Sequence, residues 1–278
     1  MHSLPPVATI ASVCRNNRHV FSFILKNIHP MEAVILAAGL GTRLRPLTND
    51  KPKALVEAGG RPLLDIAIHR IAQAGADRIA VNVHHFGNLM IDYLSSRRWP
   101  VEVVVSDERK LLLDTGGGLK QAASLLSGKS PIIVYNVDIL SRFSLSAMLD
   151  SHVSHRASAT LAVSLRDTKR QLVFTPDGRL CGWHNRETDE TLLSASQSVL
   201  HSGKQSSNQE FAFSGISIYE PSLIDLLPAP DHPYPFIPEL LKLSDSKTIQ
   251  CFQHQACDWL DVGTPQKLEQ ASAFLNRQ

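Results

Sequence analysis

Residues 32–38, Glu-Ala-Val-Ile-Leu-Ala-Ala, form an almost unbroken apolar run that stops at Gly39. Such a short run, closed by glycine, predicts a strand buried on both faces. The period then changes. Across Pro62–Ala74 the apolar positions fall at Leu63, Ile66, Ala67, Ile71 and Ala74, which is helical spacing. Pro62 suits the first turn of that helix, and Gly75 stands where a C-terminal cap belongs. Strands are predicted at Arg78–Val83, Val101–Ser106 and Ile132–Tyr135. Helices fall between them, around Asn88–Ser96 and from about Gly118 to Leu126. Strands alternating with helices imply right-handed crossovers and an α/β fold, with a doubly wound, mostly parallel, Rossmann-like sheet. Ligands of such sheets sit beyond the carboxyl ends of the strands, so the loops there are the places to look for chemistry.

After about Ser154 the pattern becomes β-rich. Ala159–Leu165 alternates as a strand does, and Arg179–Asn185 reads as half of a hairpin after the turn Pro176-Asp177-Gly178. Glu210–Tyr219 is again strand-like. Leu223–Leu227 and Ile237–Leu243 read as short helices, and Pro265–Asn276 as a closing helix. Arg186–Gln209 is rich in Ser, Gln and Asn and predicts a mobile loop. No repeat of fixed period is evident. Residues 31–278 therefore read as one domain. Residues 1–30 read as an extension, disordered or reflecting a start assigned too early, because Met31 stands directly before the first strand.

Composition narrows the function class. The chain has 278 residues, with hydrophobic residues at 43%, charged residues at 19% and a net charge of +2. Residues 1–30 hold Arg15, Arg18 and Lys26 and no acid. Setting those aside leaves 25 basic against 26 acidic side chains. A neutral body lacks the basic face that nucleic-acid binding needs. Cys14, Cys181, Cys251 and Cys257 form no CxxC pair, consistent with free thiols in a reducing cytoplasm. No apolar run approaches the ~20 residues of a membrane span.

The chemistry concentrates after the first strand, in Ala37–Val56 (AAGLGTRLRPLTNDKPKALV). Gly39 and Gly41 allow a phosphate to approach backbone N–H groups, with Ala38 and Thr42 flanking them. Arg43, Arg45, Lys51 and Lys53 supply cations, opposed locally only by Asp50. The third glycine of the dinucleotide fingerprint is replaced by Leu44, and no Gly-Lys-Ser/Thr follows. Dinucleotide binding and a P-loop ATPase are both excluded. A second glycine segment, Asp114–Ala122 (DTGGGLKQA), is expected to offer backbone contacts ahead of a helix, through Thr115, Gly116 and Gly117. Asp138 ends an apolar strand, a suitable position for a hard cation. Asn82 ends the second strand, where it can face a nucleobase. His84 and His85 are adjacent and would point oppositely in a strand, so they are not read as a metal pair.

GLGTRLRPLT followed by KPKALV resembles the signature of the sugar-1-phosphate nucleotidyltransferases, and the resemblance extends from about Met31 to the C-terminus. It implies that the glycine loop wraps a nucleoside triphosphate and that Arg43 holds the departing β and γ phosphates. It also implies that Lys53 contacts the reacting phosphates and that the TGGG segment lies against base and sugar. Asp138 and Asp261 in WLDVGTPQKL resemble the family's metal aspartates, which implies Mg²⁺. Asp138 also borders the sugar, and Ser214 and Gly215 in FSGISIY resemble its pocket. The family's acidic-basic-proline segment has no counterpart in Cys181–Glu187 (CGWHNRE), which leaves the sugar-phosphate cation open between Arg186 and Lys169.

The implied reaction joins a sugar-1-phosphate to a nucleotidyl group and releases pyrophosphate. The implied partners are the two phosphorylated substrates, and no nucleic acid or membrane; oligomeric state is not legible. Among relatives the chain looks most similar to N-acetylmuramate-1-phosphate uridylyltransferases. The rivals are GTP-dependent mannose- or heptose-1-phosphate guanylyltransferases and a non-catalytic nucleotide-sugar-binding subunit.

Overall fold

A computed structural model describes residues 31–195 and 208–276. The expected extension over 1–30 lies outside the described residues, as does part of the expected mobile loop. Strand β1 (Met31–Leu36) has no polar position except Glu32, and it is buried on both faces. A ribbon of β2 (Glu57–Ala58) and β3 (Arg61–Pro62) leads to helix α1 (Leu63–Gln73). Pro62 occupies the N-cap of α1, and Gly75 follows its end at a φ of 109°, as the sequence pattern required. Then come β4 (Ala76–Val83), α2 (Gly87–Ser95), β5 (Glu102–Asp107), α3 (Asp114–Ala123) and β6 (Ile132–Asn136).

The four strands lie parallel in the order β6-β1-β4-β5, with Val34 of β1 between Ala80 and Val134. Successive β1 side chains enter opposite cores. Ala33 and Ile35 pack with α1 and α2 on one face, while Val34 packs on the other with Leu119 and Ala122 of α3. Each fully buried aliphatic side chain contributes about 1.5–3 kcal/mol. Loss of the two-sided burial would therefore outweigh any local propensity. The expected doubly wound α/β sheet is present, with its parallel strands at the centre.

The second half extends this sheet with antiparallel strands. After β6 come β7 (Ile139–Ser141), helix α4 (Leu145–Ser154), β8 (Ala159–Ser164), β9 (Arg170–Phe174), β10 (Leu180–Asn185) and β11 (Glu190–Leu193). Strand β12 (Gln209–Tyr219) pairs with β9 at its start, and with β6 and β8 towards its end. Its register against β8 shifts between Phe213 and Ser217, while its other edge passes from β9 to β6. Short helices α5 (Pro221–Ile224) and α6 (Phe236–Leu243) follow. Next are β13 (Ile249–Gln253), β14 (Trp259–Asp261), α7 (Pro265–Glu269) and α8 (Ala271–Asn276).

The sequence reading left β7, α4 and β9 unassigned, and three further features differ from it. The expected loop at 186–209 contains β11, paired residue for residue with β10 from Glu190↔Asn185 to Leu193↔Gly182. Its polar side chains hid the strand, because an edge strand needs only one apolar face. The closing helix is interrupted at Gln270. Helix α3 begins at Asp114, four residues before the expected start, which carries the TGGG segment inside the helix.

Candidate active site

The parallel strands end around a cavity of about 560 Å³. Ala37, Ala38 and Gly39 line it after β1, and Asn82 does so at the end of β4. Asp114 and Thr115 enter from the start of α3, Asn136 and Asp138 from the end of β6, and Lys53 from the signature loop. Asn82 is buried and joins these walls. Its Oδ1 accepts from the N–H groups of Ala37 at 2.5 Å and Ala38 at 3.1 Å, and its Nδ2 donates to Glu108 Oε1 at 2.7 Å. Glu108 Oε2 in turn accepts from Leu113 N at 3.1 Å. Burial raises the Glu108 carboxyl above its ordinary range, although Asn82 and Leu113 both favour its charged form. The amide expected to face a base therefore holds two loop exits and the entry of α3 in place. Glu108 was missed, since an acid just past a strand carries no pattern that marks it as buried. Asn82→Ala orphans two N–H groups and one carboxylate oxygen. It should cost about 1–3 kcal/mol of stability and raise the KM for nucleoside triphosphate, read by thermal melting and steady-state kinetics.

Gly41 needs its glycine. Its φ is 64°, and a Cβ there would meet Lys53 Cβ at 2.9 Å and Thr48 Cγ2 at 3.1 Å. Thr48 Oγ1 donates to Gly41 O at 2.9 Å, closing the loop on itself. Tight turns at Thr42–Leu44 and Lys53–Leu55 bury Leu44 and Ala54 as anchors and leave Thr42 and Arg43 exposed. Lys53 Nζ is ion-paired with Asp138 Oδ2, both side chains being largely shielded. Arg43 is different. Its side chain is 61% exposed and its Nη1 lies 4.0 Å from Asp261 Oδ2. A pair so open contributes no more than about 1 kcal/mol, so Arg43 can turn to an incoming anion at little cost.

Asp138 and Asp261 are brought together by a small ribbon. Strand β14 pairs antiparallel with β7, setting Asp261 opposite Ile139, and Val262 N donates to Asp138 O at 2.9 Å. Burial pushes the Asp261 carboxyl up. The Gly263 N–H, donated at 2.7 Å, together with Lys267, Arg43 and Lys53 more than offsets this and holds it below the usual carboxylate range. A Cβ at Gly263 would sit 2.7 Å from both Arg43 Nη2 and Asp261 Oδ1, so a larger residue there would have to displace one of these side chains. The donor set is two carboxylates, and among the described residues no group of three His, Cys, Asp or Glu forms a metal cage. Two carboxylates completed by substrate phosphates suit Mg²⁺.

Gly116 and Gly117 stand in the first turn of α3, next to Thr115 of the cavity wall. Both are buried within α3, and their missing Cβ atoms accommodate protein. A Cβ at Gly116 would meet the Tyr234 ring at 2.3 Å, and one at Gly117 would meet Leu113 Cβ at 2.9 Å. Gly116 N already donates to Tyr234 O at 3.0 Å, and Thr115 Oγ1 accepts from Phe236 N at 3.1 Å. Thr115 remains in the cavity wall. Ser214 is also turned away from the cavity. It is fully buried, its hydroxyl shares a 2.7 Å hydrogen bond with His254 Nε2, and its carbonyl accepts from Trp259 Nε1 at 2.7 Å. Gly215, at a φ of 70°, sits against Asn136 Nδ2, which a Cβ would approach to 2.8 Å. Gly215 thus backs the cavity wall that Ser214 does not reach.

A second cavity of about 480 Å³ adjoins the first and shares Asp114 and Thr115 with it. Its sheet side carries two cross-strand rows. Leu172, Trp183 and Leu192 make an apolar row, and Arg170 and Glu190 line the cavity beside it, with Asn185 paired between them on β10. Phe213 and the start of α6 close the cavity. Of these residues, Trp183 and Asn185 fall within CGWHNRE and Phe213 within FSGISIY; the others lie in no motif of the sequence.

A family model described as nucleotidyl transferase matches residues 32–174, which include the signature loop, Asn82 and Asp138. The chain belongs to this family. It is an enzyme of the sugar-1-phosphate nucleotidyltransferase class. It is 33% identical over 253 residues to an N-acetylmuramate alpha-1-phosphate uridylyltransferase of Caulobacter vibrioides, covering 88% of this chain and 97% of that one. A mannose-1-phosphate guanylyltransferase of Mycobacterium tuberculosis is 29% identical over 90% of this chain and 66% of its own length. Among solved structures, HddC from Yersinia pseudotuberculosis complexed with GMP-PN superposes with a TM-score of 0.67. It is 23% identical, over 88% of this chain and 99% of that one. No helix among the described residues of the enzyme is long and apolar enough to cross a membrane.

Proposed function

We propose that the enzyme transfers a uridylyl group from UTP to an N-acetylmuramate-type sugar-1-phosphate in the cytoplasm. The observation that carries this reading is the pair of adjoining cavities. One is lined by the glycine loop, Lys53 and Asp138; the other is lined by an apolar row and by polar side chains. The uridylyl choice is supported by the two relatives of that name, at 33% and 32% identity over nearly their full lengths.

An oxygen of the sugar phosphate attacks the α-phosphorus, the bond to the β-phosphate breaks, and pyrophosphate departs. The monoester is already anionic, so no base is needed. The chain's work is to hold two polyanions in line and offset the charge that develops on the leaving group. Ala38, Gly39, Thr42 and Thr115 border the triphosphate. Arg43 holds its β and γ phosphates, and Lys53 meets the reacting centre once it leaves Asp138. The freed Asp138 and Asp261 would hold Mg²⁺, which supplies charge neutralisation between the phosphates when bound. Trp183 and Leu172 offer an apolar face to the sugar ring, while Arg170, Asn185 and Glu190 meet its polar groups. A screen of four nucleoside triphosphates against a panel of sugar-1-phosphates, read by pyrophosphate release, tests the assignment. UTP with N-acetylmuramate-1-phosphate should give the highest kcat/KM; a preference for GTP with a neutral hexose phosphate would replace it.

A further inference from the structure

Arg166, in the connection between β8 and β9, belongs to no motif in the sequence, yet its guanidinium is partly withdrawn from water and faces Asp261. Its guanidinium carbon lies 3.5 Å from the centroid of the Trp259 ring. Its Nη2 donates to Phe213 O at 2.8 Å, and its Nε is buried without a partner. Among the described residues no carboxylate forms an ion pair with it; the charge it faces is that of Asp261. Burial lowers the guanidinium to about 10, against the opposing pull of Asp261, so the group stays charged at neutral pH. A desolvated cation with unfilled hydrogen-bonding capacity is costly unless an anion completes it.

Its surroundings identify the anion. Trp259 lies two residues before Asp261 on β14 and is itself anchored to Ser214 O. On the other side, Phe213 lines the second cavity. So does Gln171, whose Nε2 donates to Arg166 O at 3.1 Å. Arg166 thus stands at the seam between the carboxylate pair and the cavity assigned to the sugar. Two other cations of this region are engaged, while Arg170 lines the second cavity at an exposed position. Arg186 contacts Glu210 through Nε at 3.1 Å and Nη2 at 2.8 Å, and Lys169 contacts Glu187 at 2.6 Å, at exposed positions.

Building on the function proposed above, we propose that Arg166 binds the phosphate of the sugar-1-phosphate, filling the role for which the chain has no acidic-basic-proline segment. A guanidinium presents paired donors that match phosphate oxygens, and the Trp259 ring keeps its plane oriented.

Steady-state kinetics of Arg166→Ala and Arg166→Lys, with melting temperatures recorded alongside, test this. The KM for the sugar-1-phosphate should rise at least tenfold in the alanine variant and by less in the lysine variant. The KM for UTP and the Mg²⁺ response should stay within twofold. Should the alanine variant fail to fold, the lysine variant alone carries the comparison, with an expected rise of at least threefold. An unchanged acceptor KM overturns the proposal. So does an equal rise in the UTP KM or the Mg²⁺ requirement, which would place Arg166 in service of Asp261. If the wild-type enzyme turns over no sugar-1-phosphate of the panel, the functional reading fails separately. Calorimetric titration with inorganic phosphate then decides the site. Binding at least fivefold weaker in the lysine variant supports it, and equal binding rejects it.

Discussion

Asp138→Asn should reduce pyrophosphate release to the background rate and abolish its response to added Mg²⁺, with the fold retained. The substitution keeps the shape of the side chain and an oxygen that can accept from Lys53, while removing the charge that a hard cation requires. Alanine is the poorer choice. Lys53 and Asp138 have side-chain exposures of only 14% and 13%, so removing the carboxylate outright leaves a shielded ammonium without a counter-ion. Breaking a pair that is truly buried costs about 3–5 kcal/mol; this pair is partly open, and a smaller loss is expected. Circular dichroism and melting separate the two effects. Turnover of Asp138→Asn within tenfold of the wild type would remove Asp138 from the reacting centre.

Arg43→Ala should lower kcat/KM on the order of hundredfold or more, about 2.7 kcal/mol at 1.36 kcal/mol per decade. Its melting temperature should hardly move. The prediction follows from its exposure: a side chain 61% open, touching Asp261 only at 4.0 Å, does little for stability and is available to the triphosphate. If Arg43 acts on the departing phosphates during the reaction, kcat falls as well as kcat/KM. A rate within threefold of the wild type would exclude it from the phosphate clamp. Asn82→Ala contrasts with it, because there the stability change leads and the kinetic change follows.

Helix α1 and the strands before and after it were readable because their signals are local. Apolar spacing, Pro62 and Gly75 act on neighbouring residues, and the core only reinforces what they favour. The family signature was readable for a similar reason, since a loop that cradles phosphate needs its glycines and cations close together in the chain. Local pattern is silent at Gly116. A glycine required by a ligand and one required by a tyrosine ring look identical in sequence, and only the position of Tyr234 distinguishes them. Nor does local pattern show that the Ser214 hydroxyl is claimed by His254, just past the end of β13. Strand β11 escaped notice because its pairing with β10, and not its composition, makes it a strand.

The sequence by itself determined the α/β class, the parallel strands, the glycine-and-cation loop after β1, and the membership that its signature reveals. These rest on interactions among residues near one another along the chain. The tertiary structure decided that β7 and β14 bring Asp138 and Asp261 together, and that Asn82 and Glu108 secure the cavity walls. It also decided that Arg166 lies against Trp259 beside them. Each depends on segments far apart in the chain meeting in one low-dielectric place, where burial and charge act together and no local pattern records the meeting.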